Sequence, residues 1–203
     1  MKGSFIVFEG IDGCGKSTQL ELALKYLKEK YPDREIIKTK EPTTNEIGML
    51  IRKIISSEQN FDPIAMQLLF SADRAKHISE IKSELEKGSI ILCDRYMFST
   101  FAYGASNGLD VDFLKYINKK FLVPDITFII DLPADISIDR ILKRVNENKP
   151  KMYEKQHILE RAREEYIKMK KEYKNYFVID GNRSIEEVSK DIIKILDQNM
   201  QIK

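Results

Sequence analysis

The segment 10–17 narrows the possible folds more than any other part of this chain. It contains Gly-Ile-Asp-Gly-Cys-Gly-Lys-Ser and matches the pattern G-x-x-x-x-G-K-[ST] at every fixed position. The apolar run Phe5 to Phe8 precedes it, and a pattern with apolar residues on one helical face follows it from Lys16 to about Lys30. A strand, a glycine-rich turn and a helix in this order predict a loop that binds phosphate groups, and they disfavour a chance match.

The residue types in this loop suit a nucleoside triphosphate. Glycines allow the backbone to wrap around a phosphate with several N–H groups pointing inward, and the start of the helix adds a partial positive charge. We expect the Lys16 ammonium to reach the β- and γ-phosphates and the Ser17 hydroxyl to bind Mg²⁺. The predicted ATP-binding residues of the loop are Gly10, Ile11, Asp12, Gly13, Cys14, Gly15, Lys16, Ser17 and Thr18.

The loop alone does not distinguish GTPases, ATPases and kinases. A GTPase would need the base-binding pattern N-K-x-D after a strand. The nearest match, NKPK at residues 148–151, lacks the aspartate and falls in a charged helical region. We therefore exclude a GTPase, and the remaining motifs must separate the other classes.

Short apolar runs alternate with longer helical patterns along the chain. The runs at 36–37, 89–93, 126–130 and 176–179 are unbroken, which is typical of parallel strands covered by helices on both faces. With 203 residues, 42% of them hydrophobic, we expect one domain, 1–203, of the α/β class with a five-stranded parallel sheet. Ligands of such sheets bind beyond the carboxyl ends of the strands, where we find Glu9, Gly10, Glu41, Asp94, Asp131 and Asp180.

Asp94 and Arg95 follow the buried strand 89–93 at its carboxyl end. A carboxylate at this position can hold Mg²⁺ or its water shell, and a guanidinium can span two phosphate groups with its planar set of donors. The alternative is an exposed ion pair at the end of a strand. Because the strand is expected beside the phosphate-binding loop, we favour a role in phosphoryl transfer.

The segment Phe61 to Lys87 predicts one or two helices ending at Gly88, and it places Phe70 and Arg74 on one helical face. Such a pair can stack on a nucleobase and donate to its carbonyl, or it can be a core phenylalanine with a surface arginine. Further along, Phe98 to Leu122 predicts helix on both sides of a loop near Gly104 to Gly108.

Glu41-Pro42-Thr43-Thr44 follows the second predicted strand. Proline stiffens the turn, and either threonine can cap the next helix or contact an anion. Arg52 lies two turns into that helix and is placed to reach the same crevice.

Together these segments resemble the thymidylate kinase family. The resemblance covers nearly the whole chain through FEGIDGCGKSTQ (8–19), EPTTNEIG (41–48), LLFSADRAKH (68–77), DRYMFSTFAYGA (94–105), PDITFIIDL (124–132) and DGNRSIEEV (180–188). It implies a three-layer α/β/α fold of the P-loop NTPase class with a small helical lid at about 146–157. It also implies transfer of the γ-phosphoryl group of ATP to dTMP, Mg²⁺ as cofactor and a homodimer, for which a helix around 63–77 would form part of the interface.

The resemblance also implies roles for individual residues. Asp12 would contact the sugar 3′-hydroxyl, Phe70 would stack on thymine, and Arg74 would donate to its O4. Tyr103 would pack against the deoxyribose. The dTMP-binding residues implied are Asp12, Arg52, Phe70, Arg74, Arg95, Ser99, Thr100 and Tyr103, where Ser99 or Thr100 faces the base and Arg95 and Arg52 hold the phosphate.

On the ATP side, the resemblance adds Arg140 or Arg144 near adenine, with Asn182 and Arg183 at its other edge. The implied catalytic residues are Lys16, Asp94, Arg95 and Lys151, and the implied metal ligands are Ser17 and Asp94.

The chain departs from the family at two positions of the active site. Family members usually supply one more arginine, either after the loop aspartate or in the lid. Here Gly13 follows Asp12, and residues 146–154 (NENKPKMYE) carry lysines but no arginine. Lys149, Lys151 or Arg144 would take over, although a lysine cannot form a bidentate contact. The frequent glutamine after Ala-Tyr is Gly104 here, which weakens the expectation of strict selectivity for dTMP over dUMP.

Composition adds limits on location and partners. The net charge of +2 gives no reason to expect nucleic-acid binding. The apolar runs are far shorter than the roughly 20 residues of a membrane span, and two cysteines do not indicate a disulfide framework. We expect a cytoplasmic protein without a signal peptide.

A kinase of another pyrimidine nucleotide or nucleoside, or a non-catalytic ATP-binding switch, remains an alternative to the function that the resemblance implies.

Overall fold

A parallel sheet of five strands forms the centre of the protein. The computed structural model describes residues 3–57, 60–144 and 156–200. The strands are β1 (Ser4–Glu9), β2 (Ile36–Lys40), β3 (Ile90–Asp94), β4 (Ile126–Asp131) and β5 (Tyr176–Asp180). Their order in the sheet is β2-β3-β1-β4-β5, with every pair parallel. The predicted α/β class and the five parallel strands are therefore confirmed.

Helices follow the strands in the described ranges. They are α1 (Lys16–Lys30), α2 (Glu46–Ser56), α3 (Pro63–Glu86), α4 (Met97–Ser106), α5 (Val111–Asn118), α6 (Ala134–Arg144), α7 (Gln156–Met169) and α8 (Ile185–Asn199). The segment predicted as one or two helices is the single helix α3. It begins where the Asp62 side chain accepts a hydrogen bond from the Ala65 N–H and Pro63 occupies the first turn.

Both faces of the sheet are covered. In β1 the side chains from Phe5 to Glu9 are all buried, although successive side chains of a strand point to opposite faces. The helix α1 packs against α8, and α4 packs against α5 and α7. The unbroken apolar runs of the sequence thus correspond to strands between two helical layers.

The strand order places the ends of β1 and β3 at the centre of the molecule. The chain goes from β1 to β2 on one side, and it later continues from β3 to β4 on the other side of β1. Such a reversal opens a crevice at the carboxyl ends of the strands. The loop after β1 and the segment after β3 both enter this crevice.

Two local predictions are corrected by the structure. The loop expected near Gly104 to Gly108 starts later, because α4 continues through Gly104 to Ser106. Gly104 serves close packing of α4 on α5, since a Cβ there would lie 2.5 Å from Leu114 Cδ1. The cap of α2 is Asn45, whose side chain accepts from two backbone N–H groups, and neither Thr43 nor Thr44 caps this helix.

Candidate active site

The loop 10–15 connects β1 to α1 with glycines in backbone conformations that other residues rarely adopt. Gly13 has a φ of +78°, and a Cβ there would lie 2.7 Å from the Ser137 carbonyl oxygen. An arginine at position 13 would therefore be strained and crowded by α6. The lack of an arginine after Asp12 has a structural reason in this chain.

The start of α1 is open to an anion. Its N-cap residue, Gly15, provides no side-chain hydrogen bond, and the first turn carries no acidic residue. The N–H groups of such a turn bind phosphate oxygens readily. Lys16 Nζ donates to the carbonyl oxygens of Gly10 (3.0 Å) and Ile11 (2.9 Å), so its ammonium lies against the loop.

Ser17 and Asp94 meet where the loop faces the end of β3. Ser17 Oγ donates to Asp94 Oδ2 at 2.9 Å. Asp94 Oδ1 is buried and has no hydrogen-bond partner within the described residues. A hydroxyl oxygen and an unsatisfied carboxylate oxygen side by side are hard oxygen donors of the kind that Mg²⁺ prefers. These two residues were the metal ligands predicted from the sequence, and their placement fits such an ion.

Arg95 extends from the end of β3 across the crevice. Its Nη2 donates to Asp12 Oδ1 at 2.6 Å, and its Nη1 donates to Ser99 Oγ at 3.0 Å. Its guanidinium carbon lies 5.2 Å from the centre of the Tyr103 ring. The Arg95 guanidinium holds the pKa of the Asp12 carboxyl below its ordinary value. The Asp12 side chain is also 63% exposed, and contact with water favours the carboxylate as well.

Glu9 is buried behind Arg95 and organises the start of α4. Its Oε1 accepts the backbone N–H groups of Tyr96 (2.8 Å) and Ser99 (3.0 Å). Its Oε2 accepts from the hydroxyls of Ser99 (2.6 Å) and Tyr166 (3.0 Å). Because the cap residue of α4 makes no side-chain bond of its own, the carboxylate of β1 caps this helix instead. Burial raises the pKa of Glu9, against the opposing effect of the Arg95 charge.

A cavity of about 410 Å³ opens beside Arg95 between α3 and α4. Its lining includes seven of the eight residues predicted to bind dTMP, namely Asp12, Phe70, Arg74, Arg95, Ser99, Thr100 and Tyr103. The lining also includes residues that were not predicted from the sequence, namely Ile55, Met66, Gln67 and Asn107. Ile55, Met66 and Gln67 lie within helices and Asn107 follows α4, and none of them belongs to a motif that would have indicated a binding residue.

Arg74 is held rigidly in the wall of this cavity. Only 1% of the residue is exposed. Its Nε donates to Glu41 Oε2 at 2.9 Å, and its Nη1 donates to Thr100 Oγ1 at 3.1 Å and also to Asn118 Oδ1. Its Nη2 lies 2.7 Å from Glu41 Oε2 as well, so all three nitrogens have partners and the planar guanidinium is fixed in one orientation. Glu41 is itself in contact with His77 Nδ1 at 3.1 Å, so the network extends beyond the cavity.

Arg52 does not line the cavity. Its guanidinium donates to the backbone carbonyls of Pro42 and Thr43, so it lies along the turn that follows β2. Thr43 is bound in turn to Asp73 through both its N–H (2.8 Å) and its hydroxyl (2.6 Å). The turn is therefore fixed to α3.

A second cavity of about 260 Å³ lies on the other side of the loop. Cys14, Gly15 and Thr18 line it together with Arg140 and Arg183. Arg140 donates to the Gly181 carbonyl at 3.2 Å, and Arg183 pairs with Asp191 at 2.6 Å. Asn182 belongs to the same turn, where its N–H donates to Asp180 Oδ1, but it is not part of the lining. Three of the predicted adenine-side residues, Arg140, Asn182 and Arg183, thus lie at one edge of the loop.

Three predicted elements lie outside the described residues. They are Lys149 and Lys151 and the greater part of the lid segment 146–157, while Arg144 is described only in its backbone.

Over the described ranges, no group of three or more His, Cys, Asp or Glu side chains is arranged to hold a metal ion. In the same ranges no helix combines the length and apolarity needed to span a bilayer.

Comparison with known proteins gives consistent matches over nearly the full length. The family model described as "Thymidylate kinase" matches residues 8–192. A "Probable thymidylate kinase" of Pyrococcus abyssi is 37% identical over 207 residues, which cover 98% of each chain. One of Methanocaldococcus jannaschii is 39% identical over 193 residues, covering 95% of each. A crystal structure of thymidylate kinase from Ehrlichia chaffeensis aligns with a TM-score of 0.78 and 30% identity, over 97% of this chain and 100% of that one.

Proposed function

The chain belongs to the thymidylate kinase family, and from this premise we propose that it transfers the γ-phosphoryl group of ATP to dTMP, giving dTDP and ADP for dTTP synthesis. The observation that carries the proposal is the position of Arg95 between two sites. On one side lie the open helix start with Lys16 and Ser17, and on the other lies the cavity with Phe70 and Arg74. One guanidinium can therefore contact both a donor and an acceptor phosphate.

ATP occupies the loop 10–18 in this proposal, with Arg140 or Arg144 near adenine and with Asn182 and Arg183 at its other edge. Ser17 and Asp94 would hold Mg²⁺, a role supported by the unsatisfied Asp94 Oδ1 and by the 2.9 Å hydrogen bond from Ser17 Oγ to the other carboxylate oxygen, Oδ2. When bound, Mg²⁺ supplies charge neutralisation at the β- and γ-phosphate oxygens. An ion bound through one carboxylate, a hydroxyl and substrate phosphates needs no larger acidic cluster.

The dTMP molecule occupies the cavity between α3 and α4. Phe70 stacks on the base, Arg74 donates to O4 beside Thr100, and Tyr103 packs against the sugar near Asp12. Arg95 holds the phosphate, with Arg52 at the edge of the site. The rigid hydrogen-bonding of Arg74 supports this assignment, because a fixed donor recognises a carbonyl oxygen at a low entropic cost.

Transfer depends on alignment and charge more than on covalent chemistry. The attacking phosphate oxygen of dTMP is already anionic, so the chain needs no general base. Lys16 gives up its contacts with Gly10 and Ile11 to bind the transferred group, and Arg95 offsets the repulsion between the two phosphates. Lys151 is proposed as the lid cation.

We further propose a cytoplasmic homodimer built on α2 and α3, with the chain forming one kinase domain. Large apolar side chains on these helices and just before α3 are 40–56% exposed, namely Met49, Leu50, Ile55, Phe61, Ile64 and Leu68. Because α2 and α3 pack against each other, these exposed apolar side chains belong to neighbouring elements, and a group of this kind is typical of a protein interface. In a two-fold dimer the same surface of each subunit would cover the other.

The test is ADP formation from ATP and Mg²⁺ with dTMP, dUMP, UMP, dCMP and thymidine measured side by side. We expect the highest kcat/KM with dTMP. If another acceptor is turned over preferentially, the protein is still a phosphotransferase, but its preferred substrate is not dTMP. ATP binding without turnover of any acceptor would contradict the proposed function.

A further inference from the structure

Gln67 lies on the cavity face of α3. It is three residues before Phe70 and seven before Arg74, a spacing that places all three side chains on one face of the helix. All three line the cavity of about 410 Å³. The side chain of Gln67 is therefore a neighbour of the two residues assigned above to the base.

The Gln67 amide is buried and incompletely bonded. The residue is 5% exposed, and its Oε1 has no hydrogen-bond partner within the described residues. The Ser71 hydroxyl bonds to the backbone carbonyl of Gln67 and does not reach the amide. A buried acceptor without a partner is costly and rare in native proteins. A hydrogen-bond donor on a bound ligand would therefore stabilise this oxygen.

Other polar side chains of the cavity already have partners inside the protein. Thr100 Oγ1 accepts from Arg74, Ser99 Oγ donates to Glu9, and the Asn107 amide donates to the Tyr103 carbonyl at 2.7 Å. The Tyr96 hydroxyl is the other unsatisfied buried group of the lining within the described chain. Since neither it nor Gln67 Oε1 has a partner, the two are not bonded to each other.

The edge of a thymine ring offers an acceptor at O4, a donor at N3–H and a second acceptor at O2. Arg74 has only donors and can bind a carbonyl, but it cannot bind N3–H. Gln67 lines the same cavity, and its carboxamide oxygen is an acceptor of the kind that this position needs. We propose that Gln67 Oε1 accepts a hydrogen bond from N3–H of the base of dTMP, and that it thereby selects thymine over cytosine, which has a lone pair at N3. The inference rests on the proposed function, of which it specifies one contact.

Substitution Gln67→Met tests this, because methionine has a similar volume and no strong acceptor. We expect the KM for dTMP to rise about tenfold and the preference for dTMP over dCMP in kcat/KM to fall about tenfold. The KM for ATP and the kcat should change less than about twofold. Gln67→Glu keeps an acceptor oxygen and should retain most of the affinity for dTMP.

Ser71→Ala is the matched control, since Ser71 is a buried polar residue of the same helix that does not line the cavity. It should leave the KM for dTMP and the nucleotide preference unchanged. A second measurement uses the unsubstituted protein. The 3-deaza analogue of dTMP has C–H in place of N3–H and, in its hydroxypyridone form, a hydroxyl at C4. In calorimetry it should bind the unsubstituted protein about tenfold more weakly than dTMP, and the two ligands should differ much less in binding to Gln67→Met.

The outcomes separate this inference from the proposed function. If the unsubstituted protein phosphorylates dTMP but Gln67→Met leaves both the KM for dTMP and the preference over dCMP unchanged, the inference is wrong and the function stands. Equal binding of dTMP and its 3-deaza analogue overturns the inference as well, even if Gln67→Met does not fold. Absence of turnover on dTMP overturns the function, and the inference with it.

Discussion

The Arg95 guanidinium donates a hydrogen bond of 2.6 Å to the Asp12 carboxylate, although the two residues are 83 positions apart in the sequence. Asp12 comes from the loop after β1 and Arg95 from the end of β3, which are adjacent strands. The contact joins the phosphate-binding loop to the cavity that we assign to dTMP. It orients Arg95 toward the place where the two phosphates meet.

Asp12→Asn should weaken dTMP binding. The substitution removes the charge that holds Arg95, and a hydrogen bond between charged groups contributes about 1.5–3 kcal/mol, so we expect the KM for dTMP to rise at least about tenfold. The KM for ATP should rise less, because Lys16 and the N–H groups at the start of α1 bind the triphosphate independently of Arg95. Steady-state kinetics with each substrate varied in turn measures this, and equal increases of both KM values would contradict the proposed orientation of Arg95.

Lys16→Ala should remove turnover and leave the fold intact. In the proposed mechanism its ammonium is the cation that the loop provides to the transferred phosphate, and loss of one such group typically lowers kcat by about 10²–10³-fold. The control is Lys38→Ala, because Lys38 is an exposed residue of β2 paired with Glu21. Near-normal turnover of Lys16→Ala, with a circular dichroism spectrum like that of the unsubstituted protein, would argue against the assignment of the loop.

Arg74→Leu should affect both binding and stability. It removes the donor assigned to O4 and leaves the Glu41 carboxylate buried beside His77, and breaking a buried ion pair typically costs about 3–5 kcal/mol. We expect a large increase of the KM for dTMP, little change for ATP and a lower urea midpoint. The double variant Arg74→Leu/Glu41→Gln should recover part of the lost stability, while equal losses of dTMP and ATP binding would contradict a role at the base.

The pH dependence of stability should carry a contribution from Glu9. Its folded-state pKa is raised above the ordinary value of 4.5, chiefly by burial, so the folded protein holds this proton more tightly than the unfolded chain. Stability from Glu9 is present below the unfolded pKa and is lost as pH rises through the folded pKa. Urea unfolding from pH 4.5 to 8 should therefore show the stability of the unsubstituted protein falling relative to Glu9→Gln. Parallel curves for the two proteins would show that Glu9 makes no such contribution.

Leu68→Lys should dissociate the proposed homodimer. Leu68 is 47% exposed on α3 within the apolar surface described above, and a charge there must be desolvated if the subunits associate. Sedimentation velocity should show a monomer for this variant. Tyr116→Lys on α5 is the control, because Tyr116 is 65% exposed and lies outside that surface, and it should leave the dimer unchanged. A monomeric unsubstituted protein would exclude the proposal.

Local patterns were sufficient to predict most of the fold. The unbroken apolar runs became the five strands, and the helical patterns became α1 to α8 with small shifts at their ends. The errors concern residues whose role is tertiary. Gly104 suggested a loop because glycine often ends helices, yet here it allows α4 to approach Leu114 of α5 closely. Asn45 caps α2 in place of the threonines because Thr43 is bound to Asp73 on α3.

The amino-acid sequence by itself determined the phosphate-binding loop, the α/β class, the family resemblance and the residues expected at the site, because each depends on short motifs and on periodicities that neighbouring residues set. Only the tertiary structure decided which of these residues meet. Glu9 and Tyr166 are 157 positions apart, and neither shows a local pattern that predicts their hydrogen bond. The bond arises from the order of the strands and the packing of helices on them, and so does the burial of Gln67 Oε1. Contacts between residues so far apart in the sequence follow from topology and not from any single segment.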